Sequence, residues 1–262
     1  MGKPDRNLFR GYWNLDEAGG SNAIDSTSNG NDLTETSGTI ASSDGGRLLV
    51  AADTEYFVIA DNASLSFADE AFTVGCWVKL TSQTADRKLL SKYNYGAGRR
   101  EYELEYDNGT DRYRWRVAEN GTTGHDLAAN DYGAVPATTK AFVLAWHDPV
   151  ANTINIQINN GTVTSAAHTT GCNDNSSPFA IGVDFNGATP NGYGDQIQWS
   201  TFVYAGVMTT DERTWMYNAG VPRKWNEIGL SGIKTINGVP MNNISTINGK
   251  PIQYINSINN AS

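Results

Sequence analysis

The stretch Phe72-Thr73-Val74-Gly75-Cys76-Trp77-Val78-Lys79-Leu80 decides how this chain folds. Phe72, Val74, Cys76, Val78 and Leu80 recur with period two, so one extended strand places all five on a single face. Thr73, Trp77 and Lys79 take the other face, and Gly75 leaves a gap between them. A helix would scatter the same apolar residues around its circumference. The stretch therefore reads as a core strand of a sheet, with the segments on either side as its partners.

On the N-terminal side, Phe9 to Leu15 is an aromatic-rich strand, followed by a polar loop of turn-forming residues from Asp25 to Leu33. Arg47 to Val50 and Tyr56 to Ile59 are two more short strands. On the C-terminal side, Asn108-Gly109 predicts a two-residue hairpin turn. Centred there, Glu105 faces Arg112, Glu103 faces Arg114 and Glu101 faces Arg116, while Tyr102 meets Trp115 and Leu104 meets Tyr113. Each such cross-strand pair is worth roughly 0.2–1 kcal/mol.

A second hairpin runs from Ala141 to Trp146, through Asp148-Pro149, to Thr153 to Ile158, and Asn160-Gly161 marks the next reversal. Residues 179–185 and 196–204 are later strands. One helix is predicted, with Thr209 as N-cap, Glu212 completing a capping box and Gly220 as the stop before Pro222. The fold class is all-β: a two-sheet antiparallel sandwich with one short helix and an extended C-terminal tail.

Totals narrow the function. A formal net charge of -9 argues against a nucleic-acid partner, which needs concentrated Lys and Arg. No apolar run approaches the ~18 residues of a membrane span, and residues 1–7 lack the apolar core of a signal peptide. The chain is accordingly expected to be made in a cytoplasm. Cys76 and Cys172, the only cysteines, read as reduced, buried small hydrophobes.

The order of motifs resembles laminin-G-like, concanavalin A-like jelly rolls. Tyr12-Trp13-Asn14-Leu15-Asp16-Glu17 with the loop Asp25 to Asp32 is similar to their opening, Phe72 to Leu80 to their central strand, Ile154 to Gly161 to their strand ending in Asn-Gly, and Thr209 to Gly220 to their closing helix. The resemblance covers about residues 8–222 and implies two curved sheets of six or seven strands each. Residues 1–225 are thus read as the jelly-roll domain and 226–262 as a tail. In that tail Ile233 to Asn243 and Ile244 to Tyr254 are two copies of an 11-residue repeat with Ile-Asn-Gly, followed by a truncated copy, Ile255 to Asn260. It resembles the repeats that end some bacteriophage structural proteins. Extended repeats this short cannot bury their own isoleucines and need partners to stack on.

Candidate chemistry is sparse. Glu101, Glu103, Glu105 and Asp107 share one strand face, as the paired carboxylates of laminarinase-type glucanases do, but the opposed arginines are expected to hold them ionised and lower their pKa values. The ladder reads as solvated charge, and no residue is assigned as catalytic. His125, His147 and His168 show no metal-ligand spacing, and His147 reads as a polar turn residue. Jelly-roll polysaccharide lyases carry a Gln-Ile-His strand motif, and Gln196-Ile197-Gln198 lacks its histidine.

Asp25, Asn29 and Asn31 offer hard oxygens for calcium, with Asp195 the one acid near the strand where laminin-G-like domains supply Asp-Glu; a metal-free Asx-turn loop fits the same residues. Tyr93, Tyr95, Tyr132 and Tyr193 are expected in Gly/Asn-rich loops and are candidates for stacking on a sugar. The resulting expectation is a non-enzymatic bacteriophage virion protein of decoration or fibre type. Its partners would be other virion proteins, copies of itself as a homotrimer, and a host-surface glycan. The alternative is a glycan-binding module of a microbial surface or secreted protein.

Overall fold

The computed structural model describes residues 2–228 and, beyond them, 235–236, 239–240, 246–247 and 250–251. Two antiparallel sheets face each other. One has eight strands, in the order Val163–Ala167, Thr153–Ile158, Ala141–Asp148, Phe72–Leu80, Gln196–Ala205, Gly46–Leu49, Ala41–Ser43, with Phe9–Trp13 also paired to Gln196–Ala205. The other has nine, in the order Gly124–Ala128, Arg112–Ala118, Arg99–Asp107, Arg87–Asn94, Phe179–Ile181, Tyr56–Ile59, Thr34–Thr36, with the hairpin Asp184–Asn186 and Thr189–Asn191 attached. These counts exceed the six or seven strands per sheet implied by the resemblance.

Phe72–Leu80 lies at the centre of the eight-stranded sheet, between Ala141–Asp148 and Gln196–Ala205. Its predicted inner face is the core: Phe72, Val74, Cys76, Val78 and Leu80 pack with Tyr102, Leu104, Trp115 and Val117 of the facing sheet. The outer face is covered too. Trp77 joins Phe9, Tyr12, Phe142, Leu144, Phe202, Trp215 and Trp225 in a second apolar layer. Gly75 is the notch this layer needs, since a Cβ there would stand 2.6 Å from the Phe202 ring and 2.9 Å from Leu144.

The helix Thr210–Tyr217 seals that layer. Its capping box forms as the sequence predicts, with Thr209 and Glu212 bonded to each other's backbone N–H groups. It stops before Gly220, because Asn218 (φ 48°) and Ala219 (φ 51°) already take left-handed backbone. Ile228 is fully buried in the outer layer, so the sandwich extends a few residues beyond Trp225.

The hairpin at 99–118 forms in a different register. Glu103 pairs with Arg116, Glu105 with Arg114, Asp107 with Arg112 and Leu104 with Trp115, a slip of two residues from the expected pairing. The turn is longer than Asn108-Gly109 alone. Thr110 donates its hydroxyl to Asp107 at 2.5 Å, and Asp111 provides the left-handed residue (φ 54°) that closes the loop. A slip of two keeps every side chain on its predicted face.

Cys76 and Cys172 are both free and buried. His147 is a fully buried strand residue rather than a turn residue. In the tail, Thr235–Ile236 pairs with Val239–Pro240 and Thr246–Ile247 with Lys250–Pro251, so each full repeat contributes the same two-stranded hairpin at an 11-residue interval. The truncated third repeat lies outside the described residues.

Candidate functional site

The outer face of the nine-stranded sheet carries a ladder of acids and bases. Along Arg99–Asp107 the inward residues Tyr102, Leu104 and Tyr106 fill the core, which forces Glu101, Glu103, Glu105 and Asp107 outward. The first three are nonetheless fully buried. They are covered by cations from both neighbouring strands. Lys88 donates to Glu103 at 2.9 Å and to Glu105, and lies 3.4 Å from Asp184. Lys92 bonds Glu101 and lies 2.8 Å from Asp61. From the other side Arg114 reaches Glu105 at 2.5 Å, and Arg116 reaches Glu103 at 2.9 Å and Asp126 at 2.8 Å.

Burial sets the electrostatics here. It pushes the Glu101 and Glu105 carboxyls up to about 7, against the pull of Lys92 on the first and of Lys88, Arg116 and Arg114 on the second, with Glu103 adding repulsion to Glu105. Glu103 is raised as well, again by burial first. The expected lowering by opposed arginines is thereby corrected: desolvation outweighs the pairing. Burial alone would depress the Lys88 ammonium, but Glu103, Glu105 and Asp184 together drive it upward.

Above this ladder opens a groove of about 440 Å³. Tyr93 and Tyr95 line it with Arg100, whose guanidinium lies over the Tyr93 ring at 5.8 Å. Arg114, Arg116 and Asp126 line it as well, together with Asp86, Asp184 and Asn191. Tyr95 is 37% exposed and offers its ring to solvent, whereas Tyr93 is buried within the strand Arg87–Asn94 rather than in a loop. Of the other two candidate tyrosines, Tyr132 packs against Tyr113 at the core and Tyr193 against Tyr56. Neither reaches the groove.

The residues expected to hold calcium take part in a network of hydrogen bonds. The Asp25 carboxylate accepts from the backbone N–H groups of Tyr12, Thr27 and Asn31 and from the Thr27 hydroxyl. Asn29 and Asn31 turn their amide N–H groups toward the Phe9 and Arg10 carbonyls, and the Asn31 amide oxygen accepts from Asn62. Asp195 is engaged elsewhere, pairing with Arg87 and accepting from the Ala51 N–H. Among the described residues no three His, Cys, Asp or Glu side chains are placed to hold a metal ion.

A carboxyl held near 7 is what a general acid needs. Glycoside hydrolysis also needs two carboxyls exposed to substrate on either side of the scissile bond. Glu101, Glu103 and Glu105 are fully buried, and each is bridged by at least one cation. What the face presents to a ligand is a rim of guanidinium, carboxylate, amide and tyrosine groups, suited to stacking and directional hydrogen bonds.

A family model described as the concanavalin A-like lectin/glucanases superfamily, of the laminin-G type, matches residues 51–205. The chain belongs to that superfamily. The family match contains the central strand, the charge ladder and the groove. No curated protein sequence matches the chain. Among solved structures, the binding domain of Paraclostridial Mosquitocidal Protein 1 is similar over 82% of this chain and 52% of its own length, at 13% identity and a TM-score of 0.62. The binding domain of botulinum neurotoxin serotype D/C VPI 5993 is similar over 82% and 52%, at 11% identity and a TM-score of 0.58. That of botulinum neurotoxin DC, in complex with rat synaptotagmin II, is similar over the same shares at 12% identity and 0.51. The chain spans about half the length of these structures, and at such identities the likeness is one of fold.

Sequence reasoning missed Lys88, Lys92 and Arg100. The strand Arg87–Asn94 carries two register shifts against its neighbour, one between Lys88 and Leu90 and one between Lys92 and Tyr93. Those bulges break the period-two pattern by which the strand would have been found.

Proposed function

We propose that this chain is a non-catalytic recognition module that binds a glycan in the groove over the charge ladder. What supports this most is the meeting of an exposed tyrosine face with an arginine free of any carboxylate partner among the described residues. Tyr95 provides the stacking surface, and the Arg100 guanidinium, lying over the Tyr93 ring, bonds the Thr122 carbonyl. The fold neighbours being binding domains agrees with a role in recognition. A glycan array, with and without added Ca²⁺, tests the reading. Hits that weaken at least tenfold in Tyr95→Ala and Arg100→Ala support it, and an array without hits under either condition overturns it.

We further propose that the module is displayed on a bacteriophage particle, with the tail docking to other virion proteins or to two more copies of the same chain. The repeated hairpins support this, since each is too short to be stable unaccompanied. Light scattering of the full chain against one ending at Ile228 is the test. A larger assembly that collapses to a monomer on truncation is expected, and equal monomeric masses would remove the assembly role.

A further inference from the structure

All three histidines of the chain come together in space although they are far apart in sequence. The His125 and His168 rings lie 4.7 Å apart and the His147 and His168 rings 5.3 Å apart, both edge to face. They arrive from different layers. His125 is on Gly124–Ala128 in the nine-stranded sheet, His147 on Ala141–Asp148 in the eight-stranded sheet, and His168 begins the irregular segment 168–177. The cluster therefore ties both sheets and that segment together.

Hydrogen bonds fix the protons. His147 Nδ1 lies 3.1 Å from the Glu70 carbonyl oxygen and His168 Nε2 lies 2.8 Å from that of Gly171, so each of these nitrogens carries the hydrogen and donates it. The lone pairs on His147 Nε2 and His168 Nδ1 are left buried with no hydrogen-bond partner. The charged groups facing the cluster are few. Glu119 meets His125 Nε2 at 3.2 Å, and Asp69, itself largely exposed, stands 3.9 Å from His147 Nε2. Among the described residues no group of three His, Cys, Asp or Glu side chains is placed to hold a metal ion. Those lone pairs are where a proton adds, and protonating more than one ring sets cations side by side.

The segment so held lies across other parts of the site. The Cys172 N–H bonds the Ala68 carbonyl and the Asn173 N–H that of Ala118. Further on, the Asn175 N–H donates to Glu101, and the side chains of Asn173 and Asn175 both bond the carbonyl of Arg100, which lines the groove.

We propose that the His125–His147–His168 cluster is an acid-released fastening that holds the strap 168–177 across both sheets beside the groove. Its sign follows from His168, which burial first, and then His125 and His147, hold below the ordinary 6.5. The stabilising contribution is present above that ordinary value and is lost as pH falls through it toward the lowered folded value. Glu101 at the far end has the opposite sign, because acid relieves its buried charge. The strap is therefore freed at its histidine end and stays seated at Asn175.

Hydrogen exchange of the full chain at about pH 7.5 and about pH 5.5, corrected for intrinsic rates, tests this without reference to any ligand. The amides of Cys172 and Asn173 are expected to lose roughly tenfold or more of their protection at the lower pH. His147→Gln and His168→Asn should flatten that dependence. Should either variant fail to fold, NMR titration of the wild-type imidazoles serves instead. His168 titrating below the ordinary histidine range, together with the loss of protection, supports the fastening. Equal protection at both pH values, or His168 protonated at neutral pH, overturns it.

Discussion

The two outer faces of this sandwich are buried by opposite means. Over the eight-stranded sheet, aromatic rings and one helix exclude water, and the Gly75 notch lets the Phe202 ring settle onto the strand. Over the nine-stranded sheet, water is excluded from glutamates by lysines and arginines laid across them. An apolar layer gains free energy from every methylene it buries. A buried ion network roughly breaks even against apolar groups of the same shape, yet costs heavily when one member is lost. The first face is built for stability. The second keeps a polar rim next to solvent.

The sharpest way to break this contrast is Lys88→Met. Losing the shared cation leaves Glu103 and Glu105 with only the arginines Arg116 and Arg114 on one side, and a destabilisation of about 3–5 kcal/mol is expected in urea titration. Replacing Glu103 and Glu105 by leucine in the same variant should recover most of that loss. If it does not, the network contributes more than charge balance. On the apolar face Leu144→Ala is expected to cost about 3 kcal/mol, measured the same way, with no change in the pH dependence of stability.

Glu105→Gln isolates the electrostatics. With its folded value raised to about 7 from 4.5, the carboxyl stabilises the fold fully below 4.5, and that contribution disappears as pH rises through about 7. The melting temperature of the wild type minus that of the variant should therefore fall across this window, and a constant difference would falsify the buried-ion account. The smallest effect is expected at the helix that seals the apolar face, where Thr209→Ala should remove about 1 kcal/mol by leaving the first-turn N–H groups uncapped.

How much of this was legible in the sequence follows from which patterns are local. Phe72 to Leu80 could be read because both its faces are buried by regular alternation, and the helix because its cap lies within four residues. The charged face was legible in its side but not in its pairing. Glu and Arg alternate with period two along both strands of the hairpin, so a shift of two residues still sets acid against base. The covering lysines were hidden by bulges, and the histidine cluster by sequence separation, since nothing near His147 announces His125 or His168. The burial that reverses the expected pKa shifts is likewise a property of the assembled sheet.

That degenerate alternation also bears on how the chain reaches its fold. Two neighbouring alignments of the hairpin satisfy its ionic rungs, so charge attraction speeds the encounter of the strands without selecting between them. Selection falls to the aromatic contacts, with Tyr106 against Tyr113 in the native alignment, and to the left-handed turn at Asp111. A slipped hairpin must unzip all its rungs to correct itself. The ladder that shapes the groove is therefore expected to slow the search for the native register.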